Sequence, residues 1–209
     1  MINLTPISPN DRFNTIAMIA RWRPVHLGHT PVLRALCERS SRAIIGIGSA
    51  NRYNLRNPFT VAETVDMLTL ALDGYSNYEL LPIDDLDDGP RWRKMVKSKL
   101  APLGKIDLFV TANPYVAKLL QADYPVCRPV SLITDEEKIP LDGTMVRHAM
   151  AAGAEWEQMV PETIADYIKS NKLDQRFRHE FGLEALAMQT IIDRYRVDKT
   201  MSRGSLKCI

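Results

Sequence analysis

"TIAMIARWRPVHLGHTPVLRALCER", residues 15–39, is the stretch whose reading decides the fold. Its opening run, Thr15–Ala20, is short and apolar, the pattern of a buried strand. Val32, Leu33, Leu36 and Cys37 then recur at helical spacing, so one apolar face of a helix follows. Thr30 can cap that helix, and Pro31 suits its first position, where a missing N–H costs nothing. A strand feeding a helix through a short polar loop is the repeating unit of a parallel sheet. That loop holds His26 and His29, two of the chain's four histidines, with Gly28 between them.

The same alternation continues outward. "RAIIGIGSA" reads as a second strand, followed by the polar loop "NRYNLRNP". Thr60 and Glu63 have the spacing of a capping box, so a helix begins there. "YELLPI" is a third strand, "PRWRKMVKSKL" a helix opened by Pro90, and "IDLFVTA" a fourth strand with a helix from about Pro114. "YPVCRPVSLI" is broken by Pro129 and reads as an edge strand. "GTMVRHAMAAG" and "PETIADYIKSN" close the domain as helices. The expected architecture is α/β, a Rossmann-like parallel sheet of five to six strands with helices on both faces. In such sheets ligands bind beyond the carboxyl ends of the strands, at the switch in strand order. Residues 1–171 form this domain. Residues 172–209 change style and read as a charged C-terminal helical extension, disordered beyond Lys199, with an apolar stripe of Leu183, Leu186, Ile191 and Ile192. That stripe needs a partner surface, and a second subunit is the expectation, hence a homo-oligomer.

Composition bounds the function. Of 209 residues, 45% are apolar and 25% charged, ordinary for a globular chain able to build its own core. A formal charge of +2 is too small to argue for nucleic acid or a membrane surface. No run approaches the length of a membrane span, and the N-terminus lacks a signal-peptide core. Three cysteines, odd in number and without CxxC spacing, exclude a disulfide framework and fit a reducing, cytoplasmic setting.

The histidine pair carries the chemistry. Two imidazoles, Arg21 and a helix start can converge on a phosphate, because helix N-termini present free N–H groups and the positive end of a dipole. Gly28 permits close approach. The plainer reading is two loop histidines with structural hydrogen bonds. A zinc site fits less well, since no nearby Cys or Asp completes a ligand set. "DGTMVRHAM" offers a second helix start, with Asp142 or Thr144 as cap and Arg147 one turn inside. Alone it reads equally as a capped surface helix with a solvated arginine. Trp92 is either an aromatic platform for a cationic ring or a core-packed helix residue. Asp84, Asp85, Asp87 and Asp88 read as a solvated cluster rather than a magnesium site.

"HLGH" resembles the H-x-G-H signature of the nucleotidylyltransferase superfamily. Around it, Ala20 to His29 is most similar to the first motif of archaeal-type nicotinamide-nucleotide adenylyltransferases. "IGIGSANRYNLRNPFTVAE", "TANPYV" and "DGTMVRHAMAAGAEWEQMVP" resemble their later motifs in the same order, so the likeness covers roughly residues 15–170. This chain departs from the family pattern at Ala20, Trp22, Arg23 and Gly89, the last standing where the family has an asparagine.

The resemblance implies transfer of AMP from ATP, with Mg²⁺, to a nucleotide phosphate, nicotinamide mononucleotide foremost, giving NAD and pyrophosphate. It implies that His26, His29, Arg21 and Arg147 act on the phosphates during in-line attack. Trp22, Gly28, Asn113, Gly143 and Thr144 would contact ATP, and Trp92, Ser49, Asn57 and Phe59 the acceptor. No dedicated protein ligand for the metal is implied. Two rivals stay open. One is an adenylyl- or cytidylyltransferase with a phosphopantetheine-like or phospho-alcohol acceptor. The other is a nucleotide-binding module without turnover.

Overall fold

The computed structural model describes residues 2–204, with side chains described as far as Met188. Its five strands are β1 (Phe13–Ala20), β2 (Ser40–Gly48), β3 (Tyr78–Ile83), β4 (Leu108–Val110) and β5 (Val126–Cys127). They form one sheet in the order β3-β2-β1-β4-β5, with every pairing parallel. The helices are α1 (Thr30–Glu38), α2 (Val61–Ala71), α3 (Gly89–Leu100), α4 (Pro114–Leu120), α5 (Gly143–Ala152), α6 (Glu162–Ser170) and α7 (Leu173–Gly204). β5 is an edge strand, as is β3, and Pro129 opens a 3-10 turn shortly after β5. β4 is only three residues long, shorter than its apolar run suggested.

The period-two alternation of β1 builds two cores. Ile16 and Met18 face one that also takes Leu33, Leu36, Met67, Val146 and Ile164, from α1, α2, α5 and α6. Ala17 faces the other, with Val96, Phe109, Ala117 and Leu120 under α3 and α4. Each large apolar side chain so buried stabilises the fold by about 1.5–3 kcal/mol before entropy is counted. Helices therefore cover both faces of the sheet.

Four helix starts, those of α2 to α5, follow the local capping rules. At α2, Glu63 N–H donates to Thr60 Oγ1 at 3.2 Å and Thr60 N–H to Glu63 Oε2 at 2.8 Å, the expected capping box. Asp88, Asn113 and Asp142 cap α3, α4 and α5 through their side-chain oxygens. Thr30, in contrast, does not cap α1. His29 occupies the cap position, and Thr30 Oγ1 is buried without a partner among the described residues. A turn before the helix removes the need: His29 N–H donates to His26 O at 2.8 Å and Thr30 N–H to Leu27 O at 3.2 Å.

α7 corrects the expected stripe. Leu173, Phe177 and Ala185 are buried in the first core and Phe181 packs on it, four residues apart along one face. Leu183 is 86% exposed on a different face. The side chains of Ile191 and Ile192 lie outside the described residues. Arg176 ties α7 to the domain, bonding Glu63 at 2.5 and 2.7 Å and Pro58 O at 3.1 Å. Tyr53, in the loop after β2, stacks edge-on against Phe181 and donates its hydroxyl to Glu180. The first half of α7 is thus held by its own domain. The chain continues as helix to Gly204, past Lys199 where disorder is expected, and residues 205–209 lie outside the described ones. Among the described residues, no helix is long and apolar enough to cross a membrane.

Candidate active site

Strand order reverses at β1, which lies between β2 and β4. A cleft of about 650 Å³ opens there, outside the carboxyl ends of β1, β2 and β4. The expected residues Arg21, Trp22, His26, His29, Ser49, Trp92, Asn113, Gly143, Thr144 and Arg147 all line it. Segments far apart in the sequence converge there because parallel strands all end on the same side.

The two imidazoles stack, with ring centroids 3.6 Å apart and planes 23° from parallel. His26 is buried, and its Nδ1 has no hydrogen-bond partner among the described residues. The backbone N–H of His26 lies 3.4 Å from His29 Nδ1, a weak donor contact. A neutral His29 that accepts at Nδ1 carries its proton on Nε2. Burial pushes His26 down to about 4, with Asp142 opposing and Arg147 reinforcing the shift. Burial, then the neighbouring His26, holds His29 well below the ordinary imidazole value. Both rings are neutral at neutral pH, so each offers one N–H rather than a full positive charge.

Trp22 buttresses this pair. It is 1% exposed, its Nε1–H donates to Gly46 O at 2.9 Å, and its ring meets His29 edge-on at 4.9 Å. Its φ of 58° is strained backbone for a side chain this large. The indole's donor is spent inside the protein, on the β2 carbonyl of Gly46.

The amide supply at α1 is smaller than a bare helix start offers. The N–H groups of His29 and Thr30 are taken within the loop and Pro31 has none. Anion attraction at this point therefore rests on the dipole and the imidazoles. Gly28 is also corrected, since it does not line the cleft. A Cβ there would sit 2.8 Å from Leu141 O and 3.2 Å from the His26 ring. The closeness it permits is between its own loop and the loop before α5.

Positive charge comes from arginines. Arg147 donates to Arg23 O at 2.9 Å and to Thr144 Oγ1 at 3.2 Å. Burial first, then Arg21, lowers it to about 10, and it stays protonated at neutral pH. Arg21 is lowered by burial and by Arg56, while Asp85 opposes. Arg56, which the sequence reading did not single out, therefore belongs to the same electrostatic group; its place in the arginine-rich "NRYNLRNP" loop was the available signal. Arg23 is 2% exposed and bonds Thr64 Oγ1 and Ser49 O, leaving Nη2 buried without a partner among the described residues.

Trp92 is compatible with both of its sequence readings: it packs on the second core and also lines the cleft. Asp85, Asp87, Asp88 and Tyr115 join it there. Asp88 caps α3, Asp87 pairs with Arg52, and Ser49 Oγ lies 3.5 Å from Asp85. Asn57 and Phe59 are corrections. Phe59 is fully buried in the first core, and Asn57 is buried with its amide on Asn54. Both support the loop wall rather than face a ligand.

The fold and the cleft together define a nucleotidyltransferase of the Rossmann-like class. The chain belongs to the cytidylyltransferase-like family, whose model matches residues 20–176, and within it to the nicotinamide-nucleotide adenylyltransferases. The Methanococcus vannielii protein of that name is 35% identical over 153 residues, 72% of this chain and 86% of its own length. The Pyrococcus furiosus one is 35% identical over 168 residues, 77% of this chain and 85% of its own length. A solved structure with the same fold is the bifunctional NMN adenylyltransferase/ADP ribose pyrophosphatase of Francisella tularensis, complexed with AMP and a Mn ion. Its TM-score is 0.59 at 17% identity, over 90% of this chain and 56% of that one.

Proposed function

We propose that the protein moves AMP from ATP to nicotinamide mononucleotide, giving NAD and pyrophosphate. The observation that carries this reading is the stacked pair His26–His29 set against Arg147 at the switch point of the sheet. An oxygen of the acceptor's phosphate attacks the α-phosphorus in line. The bond from that phosphorus to the bridging oxygen breaks, and pyrophosphate leaves with the electron pair. The acceptor is already anionic, so no protein nucleophile or base is required. The residues position phosphates and meet the charge that develops on them.

His29 donates Nε2–H to a phosphate oxygen, and His26 meets its neighbour. Arg21, Arg56 and Arg147 neutralise the triphosphate, with Thr144 beside them. Thr111, Ala112 and Asn113 line the nucleotide's side of the cleft. Mg²⁺ would come with ATP and would help neutralise its phosphates, with Arg21 and Arg147 beside them. Among the described residues no group of three His, Cys, Asp or Glu side chains could hold a metal ion by itself.

The β3–α3 side suits the acceptor's ring. Trp92 offers a π face, and Asp85, Asp87 and Asp88 add negative charge. A pyridinium ring with a neutral carboxamide is favoured there, while the extra carboxylate of nicotinate mononucleotide is repelled. A cytoplasmic setting fits Cys37 and Cys127, free buried thiols that burial pushes up to about 11 and about 12. The deciding experiment is pyrophosphate release with ATP or CTP across nicotinamide mononucleotide, nicotinate mononucleotide and phosphopantetheine. Fastest release with ATP and nicotinamide mononucleotide is expected. Release only with CTP, or only with phosphopantetheine, overturns the reading.

A further inference from the structure

Gly89 is the first residue of α3, and its backbone does not require glycine. Its φ is not positive, and Asp88 already caps the helix by accepting from Arg91 N–H at 2.9 Å. What requires glycine is a neighbour. A Cβ on Gly89 would collide with the Tyr115 hydroxyl, lie 2.9 Å from Tyr115 Cζ and lie 3.1 Å from Leu119 Cδ1. Tyr115, on the first turn of α4, therefore places its phenol in the space that a side chain at position 89 would fill.

Three features make this placement more than packing. Tyr115 is 58% exposed even though its ring end rests on Gly89, so its free face is the cleft it lines. Its hydroxyl makes no hydrogen bond with any described residue, unlike Tyr53, Tyr75 and Tyr167, whose hydroxyls each meet a carboxylate. The residue is also held at its base, because its N–H donates to Asn113 Oδ1 at 2.9 Å. Trp92 stands three residues after Gly89, one turn along the same helical face. The indole and the phenol thus flank one part of the cleft, the first with its body fixed on the core and the second with a free hydroxyl.

We infer that Tyr115 is a specificity-determining residue that binds the polar substituent on the acceptor's pyridine ring. The ring lies on Trp92, and the Tyr115 hydroxyl donates to the carbonyl oxygen of that substituent. The inference rests on the proposed function and names the group that reads the acceptor's ring. Gly89 serves as the socket that lets Tyr115 reach it.

The test pairs one variant with two substrates. Tyr115→Phe removes only the hydroxyl and, at an exposed position, leaves the fold intact. With nicotinamide mononucleotide its acceptor KM should rise about three- to tenfold, the scale of one neutral hydrogen bond. The ATP KM and kcat should stay within about twofold. With the analogue whose pyridine ring carries no substituent, wild type and variant should perform alike. Gly89→Ala, which displaces the phenol, should reproduce the loss with the substituted acceptor. An unchanged acceptor KM in Tyr115→Phe, or an equal loss with both acceptors, overturns the inference while leaving the proposed function standing. Failure of the wild type to turn over any pyridine mononucleotide overturns both.

Discussion

At the scale of single residues, burial decides what the histidines can do. In the proposed reaction His29 offers one preorganised N–H to charge that develops in the transition state. Its replacement by Ala should lower turnover by at least about a hundredfold, the usual loss for one such donor. The KM for ATP should change far less, and near-wild-type turnover in a folded His29→Ala protein would remove it from the mechanism. In the same proposal Arg147 acts differently, because its charge would meet ATP in the ground state as well. Arg147→Ala should weaken ATP more than the acceptor; a raised acceptor KM with the ATP KM unmoved would place it at the other end of the cleft. His26 also links the site to acid stability. Its folded value of about 4 lies below the ordinary 6.5, so between these the unfolded chain binds more protons. Stability therefore falls as pH drops through that window, by up to about 1.4 kcal/mol per pH unit for one proton, and levels off below it. His29 adds in the same direction. Urea midpoints at pH 7 and pH 5 should differ less in His26→Gln than in the wild type, and equal differences would rule out this linkage.

Elements meet through a few polar ties whose partners are far apart in sequence. Glu63 completes the capping box of α2 with one carboxylate and holds Arg176 of α7 with the same group. Arg176 also reaches Pro58 O, so one guanidinium joins α7, the start of α2 and the loop beneath Ser49. The pair is only partly exposed, 30% and 17% at the side chains. Arg176→Ala should cost about 1.5–3 kcal/mol, the range for hydrogen bonds to a charged group. A urea titration reads this as a lower midpoint with an unchanged slope, and no shift would show the tie to be ornamental. The capping box was legible because both partners sit three residues apart. The tie to Arg176 was not, because nothing local distinguishes an arginine 113 positions away from its solvated neighbours.

For the whole molecule, the main question is what α7 does. Its 32 residues span about 48 Å if fully helical. Leu173, Phe177 and Ala185 are part of the same core as β1 and β2. Truncation after Asn171 would strip that core of a fully buried Phe177, a loss on the scale of about 3–5 kcal/mol. The truncated chain should melt on the order of 10 °C lower, at about 2–4 °C per kcal/mol for a domain of this size. An unchanged melting temperature would show that α7 contributes nothing to the domain. Leu183, exposed on another face, isolates assembly from folding. In a homo-oligomer paired through that face, Leu183→Glu lowers the mass seen by light scattering without lowering the melting temperature. An unchanged mass places any oligomer contact elsewhere.

What the sequence determined by itself was whatever depends on near neighbours along the chain. Apolar periodicity set the order of strands and helices. The spacing from Thr60 to Glu63 set a helix start, and the single stretch of residues 21–30 set the short loop that holds His26 and His29 ahead of a helix. Only the tertiary structure decided which side chains face the cleft. It turned Phe59 inward although its loop borders the site, because an aromatic ring of that size is worth more in the core than in water. It assigned the space at Gly28 to Leu141 O and the space at Gly89 to Tyr115, since close approach depends on a partner far along the chain. It chose the Leu173–Phe177–Phe181–Ala185 face of α7 over the Leu183 face, because a helix with apolar residues on two sides carries no local sign of which side the domain will cover.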